Sequence, residues 1–408
     1  IDDFRALFYV LHLNCKFIGE KMKLALNQHS KYLQAPSIRQ FSNRMKGMTD
    51  CVNLTIGQPD FPMPDVVKKA YIEAIEENHT SYSHNKGLIE TREAISAYFK
   101  QRFEVDYNPE EIIITNGASE ALDTTLRSII DEGDEIIIPG PVYAGYIPLV
   151  KTLGGTPVYI DTTQTDYKVT PEAIKSHITA RTRAILLNYP TNPTGVTLSY
   201  DEVAALVETL KQHEIFVISD EIYAENSFKG HHTSFGQFTE LRDQLLLISG
   251  LSKSHSATGI RMGFLMGPAY LIEKLTFMHA YNCICANVPA QIACKAALQK
   301  GLDAPRYMNE AYIERRDYLV RRLTELGFEL DATPEGAFYI FPNITRFTDD
   351  DFNFCVEVLE EAHVAMVPGS AFTDYGQGHV RISYAYPLSQ LKEGMARLER
   401  FLEKHYQS

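Results

Sequence analysis

The stretch "RAILLNYPTNPTGVTLSYDEVAALVETLKQHEIFVIS", residues 183–219, holds two short apolar runs, RAILLN (183–188) and IFVIS (215–219), on either side of the amphipathic segment SYDEVAALVETLKQHE. Runs that are apolar throughout, rather than at every second residue, belong to strands buried on both faces. With a helix between them they lie parallel in one sheet. The same alternation extends from about residue 110 to 270, through EIIIT (111–115), EIIIP (135–139), TPVYI (156–160), LLLIS (245–249) and MGFLMG (262–267). Helical segments such as SEALDTTLRSIIDEG separate most of them. Seven runs predict one large α/β domain, a seven-stranded, mostly parallel sheet sandwiched by helices.

Beyond about residue 295 the pattern changes to long helices (MNEAYIERRDYLVRRLTELG), then GAFYIFP, AMVPGSAF, HVRISYA and a terminal helix, which reads as a smaller α+β domain. The expected division is an extension at 1–21, non-native or disordered, an N-terminal segment at 22–55 packing with the small domain, the large domain at 56–292, and the small C-terminal domain at 293–408. Residues 1–21 read as foreign to the rest because the chain opens on Ile1, with Met22 a natural start.

The 408 residues carry a net charge of −13, which argues against unspecific nucleic-acid binding. No apolar run approaches the roughly 20 residues that span a bilayer, and ALFYVLHL lacks the basic flank and cleavage site of a signal peptide. Six cysteines without a CxxC pair read as reduced thiols of a cytoplasmic protein. Cys283-x-Cys285 lacks the second pair of a zinc site, so no metal is expected. His231-His232 reads as a polar loop.

In an open α/β sheet, ligands bind beyond the carboxyl ends of the strands. After the first run, Asn116-Gly117-Ala118-Ser119 is a tight turn opening a helix, either an anion site or a plain capped turn. Neither a GxGxxG nor a P-loop motif is present. After the second run Tyr143 offers a ring to stack on, or is a buried structural tyrosine. After the fourth, Pro190, Pro193 and Gly195 constrain the loop that aims Asn192, and an X-Pro bond there is a candidate cis peptide. After the fifth, Asp220 is either a helix N-cap or a carboxylate for a cationic ring nitrogen, with Tyr223 one turn on. After the sixth, GLSKSHSATGIRMG (250–263) places Lys253 among small residues and Arg261 eight positions later. A lysine beside another cation in a desolvated pocket is a neutral nucleophile that forms Schiff bases, and a permanent guanidinium suits a phosphate. A phosphate, a flat ring, a ring nitrogen, a phenolic oxygen and an aldehyde for Lys253 together describe pyridoxal 5′-phosphate.

These residues make the chain similar to the fold-type I (class I/II) aminotransferases. The resemblance runs over roughly residues 35–405, on LTIGQPDF, NPTG, SDEIY, the lysine stretch 250–263, GAFYIFP and VRISYA. It is most like the PatA group of N-acetyl-LL-diaminopimelate and aromatic-amino-acid aminotransferases. Ile260 departs from the pattern, where close relatives usually carry tryptophan. The resemblance implies that Lys253 is the covalent attachment point and proton carrier. It also implies that Asp220 pairs with the pyridine nitrogen, Tyr223 and Asn192 bond the ring oxygen, and Tyr143 stacks. Gly117, Ala118, Ser119, Ser252 and Arg261 would hold the phosphate. Tyr82 would reach the phosphate of a neighbouring subunit, making a homodimer. Arg381, with Gly57 and Asn192, would grip the substrate α-carboxylate. Gly140-Pro141 and Asn192-Pro193 match positions that are cis in relatives.

The implied reaction moves an amino group from an L-amino acid, N-acetyl-LL-diaminopimelate or an aromatic amino acid, to 2-oxoglutarate by a ping-pong mechanism in lysine biosynthesis. A carbon–sulfur lyase would share the same cofactor residues. A regulator on this fold would need a DNA-binding domain, for which the residues before the core leave no room. Tyr32, Ile38, 282–287 and 336–341 are expected around the substrate side chain.

Overall fold

Each of the seven apolar runs forms a strand, buried along most of its length except in the edge strand Thr156–Asp161, where Ile160 alone is buried. In chain order the strands are β1 (Val52–Asn53), β2 (Ile112–Thr115), β3 (Glu135–Gly140), β4 (Thr156–Asp161), β5 (Thr182–Asn188), β6 (Phe216–Asp220), β7 (Leu245–Gly250), β8 (Gly263–Met266), β9 (Tyr339–Ile340), β10 (Val364–Ala365), β11 (Val367–Pro368) and β12 (Val380–Ser383). The structure is a computed structural model that describes residues 27–33, 44–45, 48 and 50–406. The extension at 1–21 and Ile38 lie outside the described residues.

The large sheet has the order β2-β8-β7-β6-β5-β3-β4. Only β8 runs against its neighbours, pairing antiparallel with both β2 and β7. The remaining pairs are parallel. Side chains alternate between two cores, as a doubly covered sheet requires: Ile185, Leu187, Leu245 and Leu247 enter one, Leu186 and Leu246 the other. Each such side chain, fully buried, contributes about 1.5–3 kcal/mol.

The segment after β5 becomes the helix Tyr200–Leu210 because Ser199 and Glu202 form a capping box, each satisfying a backbone N–H of the other. Val203, Leu206, Val207 and Leu210 then fall on the buried face. A separate core gathers around the helices Ala304–Glu325, Asp351–Ala362 and Leu388–Tyr406. Here β12 lies between β11 and β9, antiparallel to each, and β1 adds to β10 in parallel, so Val52 and Leu54 join this second core.

Two sequence expectations are corrected. The Gly140–Pro141 bond is cis, but the second cis bond is Tyr189–Pro190, not Asn192–Pro193. The chain bends at the end of β5, and the following turn closes trans on itself through Thr191 N–H to Val196 O and Gly195 N–H to Thr191 O. The polar-loop reading holds for exposed His231 alone. His232 is buried, its Nε2 3.0 Å from Glu221 Oε2 and its ring edge-on to Phe103.

Candidate active site

The sheet's direction gathers the functional residues. The strands parallel to one another deliver Asn116–Ser119, Tyr143, Asn192, Asp220 and Lys253 just past their carboxyl ends. Because β8 is reversed, the residues entering it arrive at that same edge, which is how Arg261 joins them. Ala118, Ser119, Tyr143, Asn192, Asp220, Lys253 and Arg261 line a cavity of about 410 Å³.

Lys253 sits on the short helix Leu251–Ser254 that follows β7. Its Nζ donates to Gly57 O at 2.6 Å, a backbone carbonyl rather than an acid. Burial lowers its pKa to about 8, helped by the positive charges of Arg381 and Arg261 and opposed by Asp220. The amine is therefore partly neutral near physiological pH, as nucleophilic attack and proton abstraction demand.

Asp220 ends β6, wholly buried. Its Oδ2 accepts from Tyr146 Oη at 2.6 Å, and its Oδ1 from Ile222 N–H at 3.2 Å. Burial raises its pKa to about 6, against the lowering pull of those two bonds. A carboxylate desolvated this far with only a phenol and an amide for company is short of a cation. The N-cap reading covers half of its bonding, since Oδ1 does close a local turn. Tyr146 was missed by the sequence reading; it begins the helix Tyr146–Thr152 after the cis Gly140–Pro141 bend, three residues past Tyr143.

Arg381 lies on β12, 2% exposed. Its guanidinium is sandwiched between the rings of Tyr339 (4.4 Å) and Phe372 (4.9 Å). It donates to Asn192 Oδ1 at 2.9 Å and to Thr55 O at 2.5 Å, while its Nε is buried without a partner. No acid among the described residues pairs with it. The bond to Oδ1 fixes the amide flip of Asn192, so its Nδ2 is the end that can donate to a ligand. Tyr223, expected to face a ring oxygen, shares a 2.8 Å hydrogen bond with Tyr339 Oη, and burial pushes its pKa well above the ordinary phenol value. A Cβ on Gly57 would strike the Tyr339 hydroxyl, so a larger residue there would displace that buried tyrosine.

Gly117 caps the helix Ala118–Ile129 with φ +84°, a conformation that glycine supplies. A Cβ on it would strike Arg261, and a Cβ on Gly263 would strike the Gly117 carbonyl carbon. Arg261 is held over the turn by bonds to Thr258 O (2.8 Å) and Asn116 O (3.4 Å). Ser119, Ser252 and Thr258 line the same end of the cavity, Thr258 being a residue the sequence did not single out. Tyr143, 40% exposed, lines the cavity T-shaped against Tyr146.

Other expected residues are not brought in by this chain. Tyr82 is 78% exposed and outside the cavity. Tyr32 lies under Lys151, and Cys283 packs against Glu120. Of 336–341, Tyr339 alone lines the cavity.

The residues present fit pyridoxal phosphate. A backbone cradle too tight for any Cβ, with a guanidinium over it, meets the phosphate. A buried carboxylate lacking a cation meets the ring nitrogen, and an enclosed amine without an acid partner meets the aldehyde.

Comparison with known proteins agrees. The profile of "Aminotransferase class I and II" matches residues 49–398. A Bacillus subtilis protein named "Probable N-acetyl-LL-diaminopimelate aminotransferase" is 44% identical, over 94% of this chain and 97% of its own. A B. subtilis aspartate aminotransferase is 38% identical, over 87% and 92%. Among solved structures, the aromatic aminotransferase of Pyrococcus horikoshii superposes with a TM-score of 0.84 at 34% identity, over 89% of this chain and 99% of that one. Fold, site and relatives converge: the chain belongs to the class I and II aminotransferases, pyridoxal-phosphate-dependent transferases of fold type I.

Proposed function

We propose that this enzyme transfers the amino group of N-acetyl-LL-diaminopimelate or an aromatic L-amino acid to 2-oxoglutarate by a ping-pong mechanism. The observation that carries the reading is the buried guanidinium of Arg381, unpaired with any described acid, beside an enclosed amine of lowered pKa. Arg381 binds the substrate α-carboxylate, positioned by Asn192 Oδ1 and Thr55 O, and the Gly57 backbone forms the opposite lip. The cofactor, when bound, supplies an aldehyde carbon for the amino group and a ring that takes up an electron pair. Lys253, an enclosed amine of lowered pKa, would hold the cofactor covalently and carry the α-proton. Asp220 keeps its charge for the ring nitrogen, and Tyr146 holds its other oxygen in place. Asn192 Nδ2 and the Tyr223 hydroxyl would bond the ring oxygen, and Tyr143 would stack on the ring. Gly117, Ala118, Ser119, Ser252 and Arg261 hold the phosphate.

The donor assignment is supported by the 44%-identical relative and by the Thermococcus litoralis protein named "Aromatic-amino-acid aminotransferase 2", 32% identical over 93% of this chain and 99% of its own. The cavity wall of Ile56, Tyr143 and Tyr339 offers apolar faces to such side chains. The reading further takes residues 56–292 as the large domain and 293–408 as the small one, a cytoplasmic homodimer, and Tyr82 reaching the neighbouring subunit's phosphate. A panel of amino donors against 2-oxoglutarate, with and without N-acetyl-LL-diaminopimelate, tests it. N-acetyl-LL-diaminopimelate or the aromatic donors lead the panel in kcat/KM if the assignment is right; aspartate leading both overturns it. Pyruvate and ammonia from a cysteine conjugate without a keto-acid acceptor would indicate a carbon–sulfur lyase instead.

A further inference from the structure

Behind the phosphate turn, facing away from the cavity, the helix Ala269–Cys283 carries His279 and Cys283 four residues apart. That spacing puts both on one face, one turn from each other. Glu120, in the first turn of the helix Ala118–Ile129, reaches between them. Its Oε1 accepts from the Cys283 thiol at 2.9 Å and lies 3.2 Å from His279 Nδ1, while Sγ and Nδ1 are 3.6 Å apart. The His279 side chain is fully buried and that of Glu120 is 8% exposed. Asn116 completes the surroundings: its N–H and Nδ2 donate to Glu120 Oε2 at 2.5 and 3.0 Å, and its Nδ2 lies 3.5 Å from Cys283 Sγ. Asn282 Nδ2 lies 3.5 Å from Glu120 Oε1.

One thiol, one imidazole and one carboxylate converging from two rigid helices is a donor set for a borderline-soft divalent cation. Bonds of about 2.3 Å to sulfur and about 2.0–2.1 Å to nitrogen and oxygen, at tetrahedral angles, put the donor atoms about 3.3–3.6 Å apart. Two of the three observed separations are within a few tenths of an ångström of that range, and only the thiol–carboxylate edge must open, by about half an ångström. We propose that Glu120, His279 and Cys283 form a binding site for one zinc-type cation, with water in the fourth position. Adjacent Cys285 is no substitute for the second CxxC that sequence spacing would ask for. The remaining ligands come instead from one turn back on the same helix and from a helix some 160 positions away, which spacing rules do not reach.

The ion would sit one residue behind the cofactor's phosphate turn, since Glu120 holds Asn116, whose carbonyl accepts from Arg261. The test uses holoenzyme stripped of metal by a chelator and cleared of free cofactor, then titrated with Co²⁺. Expected are the visible d–d bands of a tetrahedral, thiolate-bound ion, beyond the cofactor's own absorption, saturating at one ion per chain and bleached by Zn²⁺. Cys283→Ser and His279→Gln lose the bands, Glu120→Gln weakens Co²⁺ affinity on the order of tenfold or more, and the remote Cys51→Ser keeps them. Each variant is checked for wild-type ellipticity, and Glu120→Gln, which preserves shape, stands in where either other variant misfolds. Wild-type protein that takes up no Co²⁺, or bands that persist unchanged in Cys283→Ser, overturn the proposal.

Discussion

Lys253 and Asp220 are both moved from their ordinary ionisation by burial, in opposite directions, and each shift is measurable without turnover. The lysine, at about 8 in the cofactor-free protein, is deprotonated well before an exposed lysine would be. The rate of cofactor reattachment to apoenzyme should therefore rise with pH and level off above about 8, where an ordinary lysine would climb to about 10.4. Stopped-flow absorbance of the reconstitution reads this directly, and a profile still rising above about pH 9 contradicts it.

For Asp220 the folded pKa lies above the unfolded value, so the folded apoprotein binds the extra proton. The stability this brings is full below the unfolded pKa and is lost as pH rises through about 6. Asp220→Asn removes that loss. Cofactor-free Asp220→Asn should be more stable than wild type by up to about 3 kcal/mol at neutral pH and equal to it near about pH 4, while its transaminase activity collapses. Urea titrations at the two pH values check the sign. Arg381→Ala should reduce kcat/KM by on the order of 10²–10³, through the loss of a desolvated, charge-assisted grip on the α-carboxylate. Steady-state kinetics with a good donor tests this, and an unchanged kcat/KM refutes the role of Arg381.

The reversed strand β8 is the element on which the site's assembly turns. It brings Arg261 to the edge where the parallel strands deliver everything else, and its Gly263 lies flat against the Gly117 turn. Gly263→Ala has nowhere to put its methyl group except into the backbone of that turn. It should cost about 1–3 kcal/mol and weaken cofactor retention, seen as a lower Tm and faster loss of the bound chromophore on dialysis. A variant with wild-type Tm and retention would mean that the strand and the turn can separate freely.

This is also the scale at which the limits of sequence reading show. All seven strands were legible, because fully apolar runs broken by amphipathic segments have few other solutions. Lys253, Asp220 and Asn192 were legible as strand-end residues. Tyr146 was not, because its role depends on where a short helix after a cis proline aims one phenol. Nor was the sandwich of Arg381 between Tyr339 and Phe372, which joins β12, β9 and the turn after β11. The position of the second cis bond was missed because NPTG and its neighbour YP offer two prolines in one short loop.

Across the whole molecule, the cavity lies where the large sheet's edge meets the second core, and Arg381 crosses from one to the other to reach Asn192. In the proposed reading a homodimer would complete the site through Tyr82, which is 78% exposed in the single chain. Sedimentation equilibrium should give twice the 46.2 kDa chain mass. Tyr82→Phe should release cofactor more readily while leaving that mass unchanged. A monomer with full activity would remove the neighbouring subunit from the account.

The central claim is that the amine after β7 carries the cofactor. Borohydride reduction of the yellow holoenzyme, followed by proteolysis and mass spectrometry of the labelled peptide, tests it most directly. The account predicts a single pyridoxyl label, on Lys253, and no reducible colour in Lys253→Ala. A label on any other lysine, or Lys253→Ala transaminating at the wild-type rate, would contradict it.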